Sequence, residues 1–586
     1  MVLFLLKLFA LDCFIRSILA AMFEALLALT AVVPPLLAAG IVAVCRHAGE
    51  RIAKMAIAAL AISTGAAIVA LFHTTGHQPV ILRLGILPDA LSPTILIDRL
   101  AAVMMALISA VSLVIHAYSR RYMQGDQRYV QFFVLLSLLT FVLLALVVSG
   151  NLLWLFICWH LVSWLLWALL RFHHRAPAAR LAGRTTLRIQ IVGDAALLIA
   201  VLIAYVTFGT LDLTELFQRV TDADVRPVLW AGTSWETDGV TLMTLVLVVT
   251  LMTKSAQFPF HVWLPGTIEA PTPVSAMLHA GIVNAGGFLV NRFAPLYGMA
   301  PVTLHVLFIV GALTALIGAA TMLTQPSIKR TLVYSTMGQM GYMIMECGLG
   351  AFALAIFHLC AHGLFKATLF LNSGSVIHHA RLDFKLPGHS HTRPTAAFSL
   401  MTWATGLLIT LLLPLVILLL AHGVVRIPLF EAQGTVIFLF FAWVTSAQVV
   451  FSLYRLEAVA SWKVSIAMLV TLAVIGLTYL WAGEAFTHFL YVPSEAAAYF
   501  QAAAWPKGLF DLFVVFSAIL VVGVWIILYA RARGLRVFLP GWLNALHACV
   551  YVSFLNALYI EDVLRAIAAR RTRPPRHPSR HFGELR

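Results

Sequence analysis

His358, His362 and Lys366 recur every four residues in the segment IFHLCAHGLFKATLFL, which is otherwise almost pure hydrocarbon. In a helix, four residues advance about 400°, so each group sits ~40° round from the last and ~6 Å along the axis. The three make a shallow stripe about 12 Å long. That is too long for all three to touch, and it suits a relay bridged by water. Histidine titrates near neutral pH. Burial disfavours a charged lysine, so a lysine in oil can release and regain a proton. The stripe predicts a proton wire. The plainer alternative is three polar tips, each hydrogen-bonded to a neighbouring helix.

A second stretch, residues 251–289, reads LMTKSAQFPFHVWLPGTIEAPTPVSAMLHAGIVNAGGFL. Lys254 closes an apolar run, and Pro259, Pro265, Pro271 and Pro273 then interrupt the chain. Proline removes a helix hydrogen bond and clashes with the preceding turn. Irregular backbone at membrane depth survives only inside protein or beside a water cavity. A lysine beside a broken helix is one way transporters build ion sites; the alternative is a lysine that snorkels to the interface. His279 follows in the next span, where Gly281, Gly286 and Gly287 permit close helix approach. His261 lies between the two and is a candidate for tuning Lys254. Further candidates are Asp194, well inside a span, His160 in ICWHLVSW, and Glu346 and Asp98 near span ends. A charge at the bilayer centre costs about 3 kcal/mol on insertion scales, so each such group is a functional candidate.

The elements that must hold these residues are membrane helices. The chain has 586 residues, 61% of them hydrophobic and 11% charged. Its mean hydropathy is +0.95. A soluble domain carries about 25% charged residues, so an integral membrane protein is expected. Fifteen spans are expected, near 25–45, 52–72, 96–118, 130–149, 151–171, 187–208, 240–257, 272–293, 302–323, 331–347, 351–377, 396–422, 433–453, 464–482 and 509–531. The runs are continuous and lack period-2 alternation, which excludes a barrel.

With the N-terminus outside, the connections expected in the cytoplasm hold Arg46, Arg51, Arg120, Arg121, Arg128, Arg171, Arg175, Arg180, Lys329 and Arg330. The 209–239 loop on the other side is acidic. This positive-inside pattern accounts for the net charge of +15, and nucleic acid is not an expected partner. The lipid bilayer is, and the terminal basic run RRTRPPRHPSRHFGELR suits anionic lipid. The six cysteines are scattered and read as small apolar residues, so no metal site is expected in this chain. MVLFLLKLFAL lacks the basic start and cleavage site of a signal peptide.

The segments TKSAQFPFHVWLP, APTPVSAMLHA, IKRTLVYSTMGQMGYM and AIFHLCAHGLFKATLFLNSGSVIH resemble the antiporter-like membrane subunit family of respiratory complex I, the NuoL-like family, over about residues 95–390. The resemblance implies an all-α polytopic fold with two inverted five-helix repeats and broken helices. It also implies proton movement along a hydrated axis. Carried over by position, Lys254 is the first-repeat lysine, Lys366 the central lysine, and His279, His358 and His362 the connecting relay; Asp194 matches the acid of the VGD motif. The implied division is a lead-in (1–24), N-terminal helices (25–129), a first repeat (130–293), a second repeat (294–456), C-terminal helices (457–531) and a cytoplasmic basic tail (532–586).

Three departures separate the chain from complex I's subunit. His160 follows Trp159 where that family has a glutamate paired to the lysine, and a histidine cannot supply the negative charge. The span SLMTWATGLLITLLLPLVILLLAHG lacks the expected lysine or acid. Only about 26 residues, 483–508, separate the last two spans, too few for a long lateral helix. HAGIVNAGGFL and LHACVYVSFLNALYIEDVL instead resemble the DabB family, the membrane subunits of the DAB inorganic carbon accumulation system. That resemblance implies a partner, a DabA-like zinc subunit, with no cofactor in this chain. Passage of H⁺ or Na⁺, with H⁺ favoured, would drive one-way CO₂ hydration on the partner. The alternatives are a pump subunit of a complex I-like NADH-quinone oxidoreductase, a multisubunit Na⁺/H⁺ antiporter component, and a scaffold with a vestigial polar axis.

Overall fold

The computed structural model describes residues 21–45, 49–85, 91–221, 228–229, 237–382, 481–513 and 541–560, with a few isolated positions besides. Among them, eight helices are long and apolar enough to cross a membrane, and a bent pair makes a ninth span. The protein is an all-α, multi-pass membrane protein. The expected spans 396–422 and 433–453 lie outside the described residues, as do most of 464–482 and 509–531.

The bent pair is α1 (Ala21–Val32) and α2 (Pro34–Val44), turned 46° at a proline-led restart. Then come α3 (Arg51–Gly76) and a hairpin, β1 (Val80–Arg83) against β2 (Thr94–Ile97). Four long helices follow: α4 (Arg99–Tyr122), α5 (Tyr129–Val147), α6 (Leu152–Leu170) and α7 (Pro177–Phe208). Helix α7 starts ten residues before the expected span at 187. It carries Arg180, Arg184 and Arg188 on its first turns, where helix propensity without apolar character extends it.

The 209–239 stretch is not all loop. Asp212 caps α8 (Leu213–Thr221), whose Leu213, Leu216 and Val220 are buried at one-face spacing. The tail assigned to 532–586 likewise holds an apolar helix, Gly541–Leu555. Its last carbonyl accepts a hydrogen bond from Gln325 at 3.3 Å.

The next span is fragmented. Helix α9 (Gly239–Lys254) stops at the lysine, a 3-10 segment covers Phe260–Glu269, and α10 (Thr272–Ala280) restarts the course. Ala256, fully buried, sits at φ +49° between them, a left-handed conformation that costs an alanine about 1 kcal/mol. Pro259 and Pro265 fall in the break, as expected. Pro271 and Pro273 do not break a helix; they start α10, where a missing N–H leaves nothing unpaired. A further break comes at Gly281, before α11 (Ala285–Arg292). Helices α12 (Ala294–Tyr297), α13 (Pro301–Thr324), α14 (Ile328–Gly348) and α15 (Phe352–Leu382) complete the described bundle. A Cβ on Gly341 of α14 would overlap the Ala315 backbone of α13, so these two helices approach at backbone distance.

One end of the bundle is tied by an ion pair between a buried arginine and a half-buried aspartate. Asp98 caps α4, accepting from the Ala101 N–H at 2.8 Å, and takes Arg292 at 2.5 Å. The Arg292 side chain is 2% exposed and also donates to the Val147 carbonyl at 3.0 Å. Residues 481–502 lie across this end. Arg99 donates to the Phe489 carbonyl at 2.8 Å and Tyr491 to Asn291 at 2.9 Å. Asp98 thus has a structural partner. Asp98→Ala would leave a buried guanidinium unpaired. We expect a loss of about 3 kcal/mol, read as a lower thermal unfolding midpoint in detergent, with most of it recovered when Arg292→Met is added.

Candidate proton path

Two polar clusters sit inside the bundle. The first joins α6, α7 and α9. Helix α9 ends at Lys254, and the side chain points inward, with no exposure. It does not snorkel. A Cβ on Gly193 would overlap the Thr253 hydroxyl, so α7 and α9 approach closely and Asp194 is brought beside the lysine. Lys254 Nζ lies 3.6 Å from Asp194 Oδ1. Ser163 bridges them: Nζ donates to Ser163 Oγ at 2.6 Å, and Oγ donates to Asp194 Oδ1 at 3.0 Å. Nζ also donates to the Trp159 carbonyl at 3.1 Å and stands 5.1 Å from that residue's ring centre.

His160 occupies the far side of the same carboxylate, with Nδ1 2.8 Å from Asp194 Oδ2. Its Nε2 accepts from Trp164 Nε1 at 2.9 Å, so the ring's hydrogen bond to the acid is made through an N–H on Nδ1. Its side chain is 39% exposed, so the cluster runs from a fully buried lysine to the rim of the bundle. The charge missing from position 160 is therefore supplied by Asp194. Glu346 is elsewhere. His261 is buried, stacks on Phe258 and makes no hydrogen bond to Lys254 or Asp194 among the described contacts.

The second cluster joins α10, α14 and α15. His358, His362 and Lys366 do share one continuous helix, α15. A Cβ on Gly363 would come within 2.9 Å of the Ala280 carbonyl, and this close crossing sets α15 against α10. His279, fully buried, stacks on Phe370 with ring centres 4.3 Å apart and meets the Thr267 hydroxyl at 3.1 Å. Lys366 Nζ donates to Ser335 Oγ at 2.8 Å and reaches the Leu332 carbonyl at 3.4 Å. His358 Nδ1 lies 3.1 Å from Glu346, its Nε2 3.0 Å from Gln339, and its ring 6.2 Å from that of His362. Among the described residues, both ring nitrogens of His362 and Nδ1 of His279 are buried without a hydrogen-bond partner. Such atoms are costly unless water or a passing proton completes them. No described hydrogen bond joins Lys254 to His279.

Sequence reasoning passed over two features. Ser163, one turn after His160 on α6, is the bridge in the first cluster. The second feature is a buried layer between α4 and α5: His116 bonds the Ser112 carbonyl at 2.8 Å and Ser137 Oγ at 3.1 Å, while Ser112 and Thr140 hydroxyls meet at 2.6 Å. All its groups are satisfied, which suits helix packing. Single serines and threonines in apolar runs look like ordinary small residues, so only their convergence reveals them.

If Asp194 is the counter-charge of Lys254, Asp194→Asn leaves a buried ammonium uncompensated. We expect destabilisation of about 3 kcal/mol, seen as a lower unfolding midpoint, and restoration when Lys254→Met is introduced in the same chain. His160→Ala, on the rim, is expected to cost less.

A family model described as NADH:quinone oxidoreductase/Mrp antiporter, transmembrane, matches residues 149–425. Another, described as NADH-ubiquinone oxidoreductase (complex I), chain 5 N-terminus, matches residues 89–133. The chain is 42% identical over 480 residues to the probable inorganic carbon transporter subunit DabB1 of Halothiobacillus neapolitanus, covering 80% of this chain and 84% of that one. It is 37% identical over 320 residues to NADH-quinone oxidoreductase subunit L of Neisseria meningitidis, covering 53% of this chain and 46% of that one, under half the relative's length. Among solved structures, the Mrp complex from Dietzia matches with a TM-score of 0.53 at 23% identity, over 95% of this chain and 57% of that. An archaeal membrane-bound sulfane sulfur reductase matches with a TM-score of 0.53 at 17% identity, over 91% and 99%. The two structural likenesses speak to the fold alone. Aligned at 42% identity over most of both chains, with one antiporter family model covering both clusters, the protein belongs to the NuoL-like family of antiporter-like membrane subunits, in its DabB group.

Proposed function

We propose that this chain is the H⁺-conducting membrane subunit of an inorganic carbon accumulation complex. Proton flow down its gradient drives one-way CO₂ hydration on a DabA-like zinc partner, which traps bicarbonate inside. The observation that carries the reading is the alignment with DabB1 across 84% of that protein's length. The buried clusters support the conducting role: Lys254, Asp194 and His160 in the first, and His279, His358, His362, Lys366 and Glu346 in the second. Arginine placement supports a bacterial inner-membrane location with the N-terminus periplasmic and the C-terminus cytoplasmic.

The cation we favour is H⁺ rather than Na⁺. A sodium ion requires a shell of oxygen ligands. Here Asp194 is engaged by Lys254 and His160, and Glu346 by His358. Two lysines on the path repel a metal cation but carry a proton. The second reading, a multisubunit Na⁺/H⁺ antiporter or quinone oxidoreductase component, draws on the shared family model and on the fold of the Mrp complex.

The test is growth in air of a carbonic-anhydrase-deficient bacterium carrying this gene with its partner gene. Rescue is expected with the native chain and is expected to be lost with Lys254→Ala or Lys366→Ala. Rescue unchanged by both variants would remove the mechanism. Salt-dependent rescue without any response to CO₂ would favour the antiporter reading.

A further inference from the structure

His358 is held between an acid and an amide. Its Nδ1 lies 3.1 Å from Glu346 Oε2, and its Nε2 lies 3.0 Å from Gln339 Oε1. Both partners come from α14. Gln339, Tyr342 and Glu346 are spaced three and four apart there, so they share one face, and the Tyr342 ring centre is 5.5 Å from that of His358. The acid side is deep: the Glu346 side chain is 3% exposed and that of His358 10%. The amide side is open. Gln339 is exposed among the described residues, so its amide has room to turn.

In this placement both ring nitrogens face oxygen. An amide oxygen only accepts, an ionised carboxylate only accepts, and a neutral imidazole carries one N–H and one lone pair. The geometry is therefore satisfied only when the acid–imidazole pair holds an extra proton, as imidazolium against carboxylate or as imidazole against carboxylic acid. Once that proton leaves, the ring keeps a single N–H. The carboxylate is the stronger acceptor and takes it at Nδ1. The Nε2 lone pair is then left pointing at the Gln339 oxygen, acceptor against acceptor. A half-turn of the amide brings its NH₂ to the ring and restores the bond. Other ionisable groups stand further off: His362, with its ring 6.2 Å away, Lys366 one turn beyond it, and His279 on α10, which crosses α15 at Gly363. From α4, the Tyr118 hydroxyl donates to the Leu371 carbonyl, and Arg292 of α11 is taken up by Asp98. Among the described contacts, only Gln339 meets His358 Nε2.

We propose that Gln339 is a positioning residue whose side-chain amide turns over with each proton gained or lost by the His358–Glu346 pair, presenting oxygen to the protonated pair and nitrogen to the deprotonated one. The amide moves no proton itself. It keeps both states of the ring hydrogen-bonded, so neither becomes a trap. The inference rests on the conducting role given above, in which this pair must both take up and release a proton.

The test uses the complex, isolated with its partner subunit and reconstituted into liposomes, and reads it in two ways. An internal pH dye reports proton flux under an imposed gradient. Nitrogen-15 magnetic resonance of labelled histidines reports the ring's protonation, with the His358 signals assigned by their loss in His358→Gln. Gln339→Glu keeps an acceptor of the same reach and removes the donor. It is expected to slow flux about tenfold, the advantage of a charge-assisted over a neutral hydrogen bond, and to leave His358 doubly protonated across the pH range in which the native ring changes state. Gln339→Met removes both ends of the amide and favours neither state, so its flux is expected to fall less than that of Gln339→Glu. A residue that merely holds the ring in place predicts the reverse order, because a carboxylate holds it as well as an amide oxygen does and a thioether does not. The proposal is overturned if Gln339→Glu conducts as well as the native complex or better than Gln339→Met, or if native His358 keeps one protonation state throughout. If native His358 changes state and Gln339→Glu prevents it, yet the native complex carries no protons, the amide's role stands and the conducting role falls.

Discussion

Asp194 has two carboxylate oxygens, and each is committed to a different partner. Oδ1 faces Lys254 through Ser163, and Oδ2 faces His160. The bilayer makes this sharing decisive. An ammonium with no exposure needs its counter-charge within a few ångströms, because no solvent stands in for it. The two partners also compete. The one carboxylate is divided between the rim of the bundle and its centre. The rest of the first cluster serves that sharing. Gly193 lets α7 reach α9, the break after Lys254 frees the lysine from a helical neighbour, and Ser163 fills the gap between nitrogen and oxygen.

The broken span makes the arrangement possible. A continuous helix through 255–270 would carry its carbonyls along the axis and leave none to turn inward. With α9 ending at Lys254, the Thr253 carbonyl is free to accept from Trp263 at 2.9 Å and from Gln190 at 3.3 Å. These bonds satisfy the broken end inside protein, the only place where membrane-depth irregularity is tolerated. The left-handed Ala256 shows that packing imposes the break, for no local preference of alanine would choose it.

Much of this was legible before any coordinates. Long apolar runs name helices because a bilayer allows little else: through residue 377, seven of the expected spans coincide with single helices long and apolar enough to cross, and an eighth with the α10–α11 run broken at Gly281. Lys254, His279, His358, His362 and Lys366 stood out because a charge in oil is expensive, and all five are buried. What stayed hidden is what one-dimensional spacing cannot encode. Ser163 and Asp194 lie 31 residues apart and meet only after α6 and α7 pack. The substitution of histidine for the usual acid at 160 read as a loss of charge, because the compensating acid sits on another helix. Sequence does not separate the prolines: Pro259 and Pro271 have the same local chemistry, and only the direction of the chain on either side makes one a break and the other a helix start. The helix at Gly541–Leu555 is short, and the basic run beyond it masks its apolar character in the tail.

The second cluster differs from the first in its electrostatics. Asp194 neutralises Lys254, but among the described residues no carboxylate lies against Lys366, whose partners there are a hydroxyl and a carbonyl. Lys366 follows His362 by one turn on α15, and α10, which carries His279, crosses α15 at Gly363. If this cluster carries protons as proposed, a charge on one group opposes a charge on its neighbour, so the groups would be occupied one at a time. The close crossing of α10 and α15 at Gly363, with the His279 ring stacked on Phe370, sets the two helices' polar groups into one region.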